Sequence, residues 1–369
     1  MTRVVLAPDS FKGTITAADA AAALAEGWAS VEPGAEFVHR PMADGGEGTV
    51  AAFAAAVPGA ERMPITVDGP AGTPVQTAWL LLPPSDETPR GAAVIDLAST
   101  SGIELLDELR PWDAGTAGLG QALAAALDHG VSRIVVGIGS SASTDGGIGM
   151  LSALGARFLD SSGAPVVHGA RGLVDVARVD LSGLRAAPEV RVLTDVTNPL
   201  TGPRGAAAVF GPQKGLTASD VPVVDAGLAR LAALLDLDQE TQGAGAAGGT
   251  GGALVAWGAT LAPGAAEVAQ LIGLAEAIAG ADVVITGEGS YDGQSGDGKV
   301  PSFIAALAAD SGAAALLAAG RITADADASL FTASASLTDL AGSSDSALAE
   351  PAHWLREAGA ALARRAGSR

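Results

Sequence analysis

The sequence contains no cysteine, which excludes disulfide bonds and zinc sites built on thiolates. It has no uninterrupted apolar run of the roughly 18 residues that a bilayer-spanning helix needs, so we expect no membrane partner. The first apolar run, Val4–Ala7, turns to Pro8 and Asp9 too early for the apolar region of a signal peptide. These absences predict a cytoplasmic protein.

Positive charge is also scarce. The chain of 369 residues has 21 Lys and Arg against 41 Asp and Glu, a net charge of −20. Such a surface repels a polyanion, so we expect no nucleic-acid partner. A small anionic substrate would need a local basic pocket within this repulsive field. Solubility is the simpler interpretation of the acidic surface.

Short aliphatic runs bounded by glycine or aspartate are typical of parallel strands that are covered on both faces. The runs are Val4–Ala7, Ile134–Ile138, Val190–Thr194, Val283–Thr286 and Ala315–Ala319. Between them lie alanine-rich stretches of helical length, at Ala17–Ala29, Thr49–Ala56, Thr116–Asp128, Ala218–Leu235, Ala265–Ala279, Ser302–Ala309 and Pro351–Arg365. Strands that alternate with helices of this size predict an α/β fold.

The segment Ile65–Ala98 departs from this pattern, because glycine and proline surround two β-like pieces, Val75–Leu82 and Ala93–Leu97. Such a segment predicts hairpins rather than strand–helix–strand units. We therefore expect two domains. Residues 1–65 and 281–369 would form a parallel-sheet domain of the flavodoxin or Rossmann type, and residues 66–280 a second, mixed α/β domain inserted into it.

Two loops near the N-terminus combine charge with glycine. The first holds Asp9, Ser10 and Lys12 after the first strand, where ligands bind in open α/β sheets. The second holds Asp44, Gly45, Gly46, Glu47 and Gly48. Its glycines allow backbone N–H groups to approach an anion, and its carboxylates suit Mg²⁺ or a hydroxyl group. A polar turn without function is the simpler alternative for each loop.

A third loop follows the run Ile134–Ile138. Its candidate binding residues are Gly139, Ser140, Ser141, Thr144, Asp145 and Gly146. The loop is not the dinucleotide fingerprint, because Ala142 stands where the third glycine should be. Small residues, hydroxyl groups and a helix expected from about Ile148 indicate a phosphate cradle. A tight strand-to-helix turn, the alternative, needs fewer glycines.

Asp195 follows the run Val190–Thr194, and two of the rare cations come later, Arg204 and Lys214. Asn198 and Gln213 lie close to them in the chain. An arginine fork binds a carboxylate or phosphate through two parallel hydrogen bonds. Either cation could instead form an ordinary surface ion pair.

The densest loop, residues 286–301, contains Glu288 and Asp292 and ends near Lys299. Residues 293–299 match part of the P-loop pattern, but Val300 replaces the Ser or Thr that would hold Mg²⁺. We therefore reject a Walker A motif, although Lys299 precedes a helix that Pro301 favours. The histidines, at positions 39, 129, 168 and 353, lack metal-ligand spacing, and we find no nucleophilic triad.

Seven segments together resemble the class I glycerate kinase family, in the family's order from residue 7 to about residue 301. They are APDSFKG, PMADGGEGT, GIGSSASTDGG, DVTNPLTGPRGA, VFGPQKG, GAGAAGG and ITGEGSYDGQS followed by DGKVP. The order of all seven makes the match specific, whereas the part after Gly320 carries little resemblance. The family often has Asn where Thr144 stands and Arg where Ser290 stands.

The resemblance implies ATP-dependent phosphorylation of D-glycerate with Mg²⁺, the 2-phospho product being favoured. It also implies a two-domain α/β fold with the active site in a cleft. A phosphoryl transfer of this kind needs a base near the acceptor hydroxyl, for which Asp195 is the first candidate and Asp44 the second. Glu288 and Asp292, with Asp9, are candidates for binding Mg²⁺ or its waters.

The cationic roles fall to Lys12, Arg204 and Lys214, and which of them meets the substrate carboxylate stays open. The loops Gly45–Gly48 and Gly139–Gly147 would supply backbone N–H donors. The expected partners are D-glycerate and ATP, and a homodimer is a candidate assembly. Two alternatives stay open: a kinase for another small hydroxy acid, and a non-catalytic sensor of a nucleotide or sugar acid.

Overall fold

The computed structural model describes residues 1–11, 13–293 and 300–367. Its strands are β1 (Arg3–Pro8), β2 (Glu36–His39), β3 (Glu61–Asp68), β4 (Pro74–Leu82), β5 (Ala92–Asp96), β6 (Arg133–Gly137), β7 (Arg157–Leu159), β8 (Arg178–Asp180), β9 (Glu189–Leu193), β10 (Thr260–Ala262), β11 (Val283–Tyr291), β12 (Ala314–Ile322) and β13 (Ala333–Ser336). Its helices are α1 (Ala17–Val31), α2 (Thr49–Ala56), α3 (Ala98–Ser101), α4 (Ala117–His129), α5 (Ile148–Ala153), α6 (Gly169–Asp175), α7 (Ala206–Phe210), α8 (Val221–Leu234), α9 (Thr250–Ala256), α10 (Gly264–Leu271), α11 (Leu274–Ile278), α12 (Val300–Ser311), α13 (Leu337–Ala341), α14 (Ser344–Ala349) and α15 (Pro351–Ala366).

The chain divides into two compact units. Unit 1 comprises residues 1–44, 51–58 and 265–369, and unit 2 comprises residues 45–50 and 59–264. Each unit is therefore built from separated stretches of chain. The domains predicted from the sequence, 1–65 with 281–369 and 66–280, stay a prediction, because a compact unit is not by itself an independently folding domain.

Unit 1 contains a five-stranded sheet in the order β13-β12-β11-β1-β2, and every neighbouring pair is parallel. Numbered by chain order within the unit, the sheet reads 2-1-3-4-5, which is the flavodoxin-like order. The order reverses between β1 and β11, and the carboxyl ends of strands at such a point form a ligand site in open α/β sheets.

Helices α1 and α15 pack closely together in unit 1. Trp28 and Leu24 of α1 belong to the same buried cluster as Leu355 of α15. A Cβ atom at Gly27 would lie 1.9 Å from the carbonyl oxygen of Arg356, so only glycine permits this approach. Opposite it, a Cβ at Gly359 would lie 2.3 Å from the carbonyl oxygen of Leu24.

Unit 2 contains a six-stranded mixed sheet in the order β10-β9-β6-β5-β4-β3. The pairs from β10 to β5 are parallel, whereas β4 pairs antiparallel with both β5 and β3. Val136 of β6 and Val192 of β9 are buried in one core cluster with Leu123 of α4. Strands β7 and β8 form a separate antiparallel pair.

The predicted fold class, α/β with a parallel sheet and a second, mixed sheet, is confirmed. The predicted runs match β1, β6 and β9 to within one residue at each end and lie inside the longer strands β11 and β12. The segment predicted to form hairpins contains β4 and β5, which pair antiparallel, and the last part of β3. Strands β2 and β13 were not predicted, because the sequences EFVH and ASAS contain no aliphatic run.

Candidate active site

A cavity of about 450 Å³ opens at the carboxyl edge of the parallel sheet in unit 1. This volume falls in the range of roughly 300–1,000 Å³ that is typical of small-molecule sites. The charged side chains that line it are Asp9, Asp44, Glu288, Asp292 and Arg321. Because β1 and β11 both end here, the cavity occupies the point where the strand order reverses.

The loop after β1 is held by its neighbour in the sheet. The backbone N–H of Asp9 donates to the carbonyl of Gly287 at 2.8 Å, which continues the pairing of β1 with β11. One carboxylate oxygen of Asp9 accepts from the N–H of Ser10 at 2.6 Å. The side chain of Asp9 is therefore buried and oriented at the edge of the cavity.

Strands β11 and β12 approach each other closely at the floor of the cavity. A Cβ atom at Gly287 would lie 1.9 Å from the carbonyl oxygen of Ala318, and one at Gly320 would lie 2.3 Å from that of Gly289. Glycine is required for this approach. The next residue, Arg321, donates from Nε to Oγ of Ser290 at 3.1 Å, which fixes its guanidinium beside β11.

Tyr291 ends β11 behind the acidic side chains. Its hydroxyl donates to the carbonyl of Asp327 at 2.9 Å. Burial raises the pKa of Tyr291, and the negative charges of Asp327 and Glu288 raise it further. Tyr291 therefore stays a neutral donor, and its fixed ring supports the segment that carries Glu288 and Asp292.

The structure thus brings five predicted site residues together in one cavity, although they come from distant parts of the chain. They are Asp9, Ser10, Asp44, Glu288 and Asp292. Their roles stay predictions. Two further predicted residues, Lys12 and Lys299, lie outside the described residues.

Sequence reasoning missed Arg321 and the segment from α13 to α15 that also lines the cavity. The signal in the sequence was weak. Arg321 lies just beyond the predicted strand Ala315–Ala319, in a part of the chain without a family motif. Its position, as a cation near the carboxyl end of a predicted parallel strand, was the signal that could have identified Arg321.

The two glycine-rich loops of unit 2 contact each other. The N–H of Gly139 donates to the carbonyl of Gly45 at 3.0 Å. A Cβ atom at Gly139 would lie 2.5 Å from Cα of Gly46, and one at Gly45 would lie 2.4 Å from the carbonyl oxygen of Leu193. The loops that begin at Gly45 and Gly139 therefore pack at the carboxyl ends of β6 and β9. Gly48, like Gly45, has a positive φ.

Asp145 organises the loop after β6 from within. Its carboxylate, fully buried, accepts from the N–H and the hydroxyl of Thr116 at 3.0 and 2.8 Å. It also accepts from the N–H groups of Gly147 and Gly149 and from the hydroxyl of Ser143. Because these donors lie beside the start of α4, in α5 and in the loop itself, the carboxylate of Asp145 joins these three segments inside the fold.

Lys214 reaches the same loop from a short helical turn at Pro212–Lys214. Its side chain is buried, and Nζ donates at 2.6 Å to both Oγ of Ser141 and the carbonyl of Ser143. Burial lowers the pKa of Lys214 to about 7, against the opposing effect of the charge on Asp145. Lys214 therefore holds this loop from inside the fold, and its predicted role in ligand binding stays a prediction.

The same loop contains two unusual positions. Ser140 is exposed and adopts a left-handed backbone conformation with φ of 58°, which is strained for a residue with a side chain. Thr144 is buried, and its hydroxyl has no hydrogen-bond partner among the described residues. Gly146 accepts the positive φ of 64° that the turn requires before α5.

The remaining predicted residues of unit 2 lie nearer the surface. Asp195 follows β9, is exposed, and accepts from the N–H of Gly264 at 2.9 Å, at the first residue of α10. Asn198 donates to the carbonyl of Arg204 at 2.7 Å. The side chains of Arg204, Glu47 and Gln213 are exposed.

Within the described residues, no helix is both long and apolar enough to cross a membrane.

Glycine-rich loops at the carboxyl ends of parallel strands are features of α/β proteins that bind phosphate groups. The sequence model of the glycerate kinase family matches residues 4–366. The chain therefore belongs to the glycerate kinase family. The enzyme class predicted from the sequence, a glycerate kinase, is confirmed at the level of this family.

Individual relatives agree with the family. The chain is 40% identical over 337 residues to a glycerate kinase of Bacillus subtilis, which covers 88% of this chain and 87% of the relative. It is 40% identical over 317 residues to a glycerate 2-kinase of Escherichia coli, covering 83% and 82% of the two chains. A crystal structure from Salmonella typhimurium LT2, assigned as a glycerate kinase 2, superimposes with a TM-score of 0.85 at 37% identity, covering 100% of this chain and 98% of that one.

Proposed function

We propose that the protein transfers a phosphoryl group from ATP to a hydroxyl group of D-glycerate, with 2-phosphoglycerate as the product. The observation that carries this proposal is the acidic cavity at the reversal point of the parallel sheet in a chain of the glycerate kinase family. The name of the Escherichia coli relative, a glycerate 2-kinase, supports the 2-phospho product.

The cavity residues fit Mg²⁺. Mg²⁺ prefers carboxylate oxygens, keeps several waters and is usually bound through one or two carboxylates together with substrate phosphates. Glu288 and Asp292 line the same cavity and supply carboxylate oxygens of this kind, although no group of three or more His, Cys, Asp or Glu side chains among the described residues could hold a metal ion. Glu288 and Asp292 would hold the ion, with Asp9 accepting from its waters. When bound, Mg²⁺ would neutralise charge on the phosphates.

Asp195 is our proposed general base, and Asp44 is the second candidate. The hydrogen bond from Gly264 fixes the orientation of the exposed Asp195 carboxylate. An oriented carboxylate that can reach solvent can accept the proton of a substrate hydroxyl without a large rearrangement. Asp44 has the advantage of lining the cavity of unit 1.

Substrate binding draws on both charge and backbone. The exposed guanidinium of Arg204 suits the glycerate carboxylate, because it can donate two parallel hydrogen bonds. The N–H groups of the two glycine loops at Gly45–Gly48 and Gly139–Gly147 suit anionic oxygens. Asn198 would position Arg204 through its backbone carbonyl. We also propose Lys12 and Lys299 as phosphate-binding cations.

The buried polar groups of the loop after β6 would act on binding indirectly. Lys214 and Asp145 hold Ser141 and Ser143 in place, so that Ser140 and the neighbouring N–H groups keep one arrangement. A loop held in advance loses less conformational entropy when a ligand binds.

The decisive experiment is a coupled assay of ADP release with ATP, Mg²⁺ and a panel of small hydroxy acids, followed by NMR of the product. We expect D-glycerate to give the highest kcat/KM and the product to carry phosphate at C2. Turnover with another hydroxy acid but not D-glycerate would contradict the proposed substrate. Nucleotide binding without ADP release for any acceptor would indicate a sensor instead.

A further inference from the structure

One wall of the cavity of unit 1 is apolar, and the proposed binding of Mg²⁺ by the carboxylates gives this wall no function. The wall is formed by Leu337 of α13, Ala347 and Leu348 of α14 and Pro351 of α15. Leu337 and Ala347 are buried, but Leu348 is 57% exposed although it lines a cavity. Leu348 thus leaves apolar surface inside a cavity that also has charged groups, and small-molecule sites are lined mostly by apolar side chains with a few polar groups.

This wall is a fixed part of unit 1. The hydroxyl of Thr338 donates to the carbonyl of Gly320 at 2.9 Å, which joins α13 to the carboxyl end of β12. The hydroxyl of Ser336 accepts from the N–H of Asp339 and so caps α13. Because β12 also carries Arg321, the wall and the cation are anchored to the same strand end.

The other side of the cavity is polar and acidic. Asp9, Asp44, Glu288 and Asp292 face the cavity with Arg321 as the one cation among its described lining residues. This balance repels a bare triphosphate, and Mg²⁺ bound between the carboxylates and the phosphates would offset that repulsion. A single ligand that matches both sides has a charged, metal-binding end and a flat apolar end, as a nucleotide does.

We propose that this cavity is the nucleotide site of the enzyme, with the purine base against the wall of α13 and α14 and the phosphates beside Arg321. The assignment rests on the proposed use of ATP. D-glycerate is too small and too polar to use a leucine wall, whereas the faces of a purine are apolar and broad. Leu348 therefore contributes affinity for the base, and Arg321 contributes affinity for the phosphates.

Two ligands separate these contributions in the full-length protein. Mg·ADP has a base, and Mg·tripolyphosphate has none, so calorimetric titration of each reports base and phosphate binding without turnover. The variants are Leu348→Asn and Arg321→Gln, which change exposed side chains and add no charge. Leu330→Asn is the matched control, because Leu330 is 53% exposed and does not line the cavity.

We expect Leu348→Asn to weaken Mg·ADP binding about tenfold or more, the effect of removing one leucine contact, and to leave Mg·tripolyphosphate unchanged. Arg321→Gln should weaken both ligands, and Leu330→Asn neither. Unchanged Mg·ADP affinity in Leu348→Asn would overturn the assignment, and so would an equal loss of both ligands in that variant. Absence of ADP release with every acceptor would contradict the proposed kinase activity. The titrations with Mg·ADP and Mg·tripolyphosphate do not depend on turnover, so they would still test whether a nucleotide binds in this cavity.

Discussion

Lys214 donates from its buried Nζ to Oγ of Ser141 at 2.6 Å, across 73 positions of sequence. A lysine that burial has brought to a pKa of about 7 thus holds the loop that follows β6. This contact links the ionisation of one side chain to the stability of the fold.

The first prediction concerns pH. Below about pH 7 Lys214 is charged in both the folded and the unfolded chain, whereas between pH 7 and its ordinary pKa near 10.5 only the unfolded chain keeps the proton. The unfolded state then binds more protons, so the free energy of unfolding rises with pH in this range. Relative to Lys214→Met, the wild type should gain about 1.4 kcal/mol per pH unit above pH 7.

Urea unfolding at pH 7, 8 and 9 measures this difference. Gln213→Met is the control, because Gln213 is the exposed neighbour of Lys214 and carries no charge. Parallel pH dependence for the wild type and Lys214→Met would contradict a lowered pKa at Lys214.

The second prediction concerns the contact between the two glycine loops. In Gly139→Ala the new Cβ atom would lie 2.5 Å from Cα of Gly46, so the loops must separate. We expect a loss of about 1–3 kcal/mol of stability and a fall in kcat, because overpacking shifts the backbone. Gly34→Ala is the control, since a Cβ there meets nothing within 4 Å. Chemical unfolding and the ADP-release assay give both quantities, and equal behaviour of the two variants would contradict the close approach.

The third prediction concerns the proposed base. Asp195→Asn keeps an oxygen that can accept from Gly264 but removes the basic carboxylate, so kcat should fall by about 10²–10⁴-fold with a modest change in KM for ATP. Asp238→Asn is matched to it, because Asp238 is also exposed and accepts from a backbone N–H, that of Glu240. Turnover close to wild type in Asp195→Asn would remove Asp195 from this role and leave Asp44 to be tested in the same way.

The fourth prediction concerns the metal. Glu288→Gln and Asp292→Asn should each raise the Mg²⁺ concentration needed for half-maximal activity about tenfold or more, because an amide oxygen binds Mg²⁺ less well than a carboxylate does. Asp310→Asn, an exposed aspartate on α12 that does not line the cavity, should leave it unchanged. A Mg²⁺ titration of the initial rate measures this concentration. An unaltered Mg²⁺ requirement in both cavity variants would place the ion elsewhere.

The sequence predicted those features that depend on local pattern. The aliphatic runs of β1 and β11 and the helix that begins at Ile148 follow from neighbouring residues, and so do the glycine loops at their ends. The structure adds features that depend on distant parts of the chain. Nothing local to Lys214 indicates that it is buried, because its partners Ser141 and Ser143 lie far away in the sequence.

The role of Arg321 was hidden for the same reason. Its partner Ser290 lies on the neighbouring strand, and the close approach of β11 and β12 depends on Gly287 and Gly320 together. A pattern in one segment carries no information on which segment will pair with it. The family resemblance indicated which loops carry functional residues, but its motifs end at about residue 301, before Arg321.

The pairing of β1 with β11 has a consequence for how the chain is made. Val4 lies opposite Val283, and the hydroxyl of Thr286 donates to the carbonyl of Ala7 at 3.0 Å. During synthesis β1 leaves the ribosome early, while the strand that covers one of its edges is still to be translated. Residues 59–264, which make up most of unit 2, are all available before β11 is. Until then that edge of β1 has no partner strand in its own sheet, and an unpaired strand edge is a place where another chain can pair.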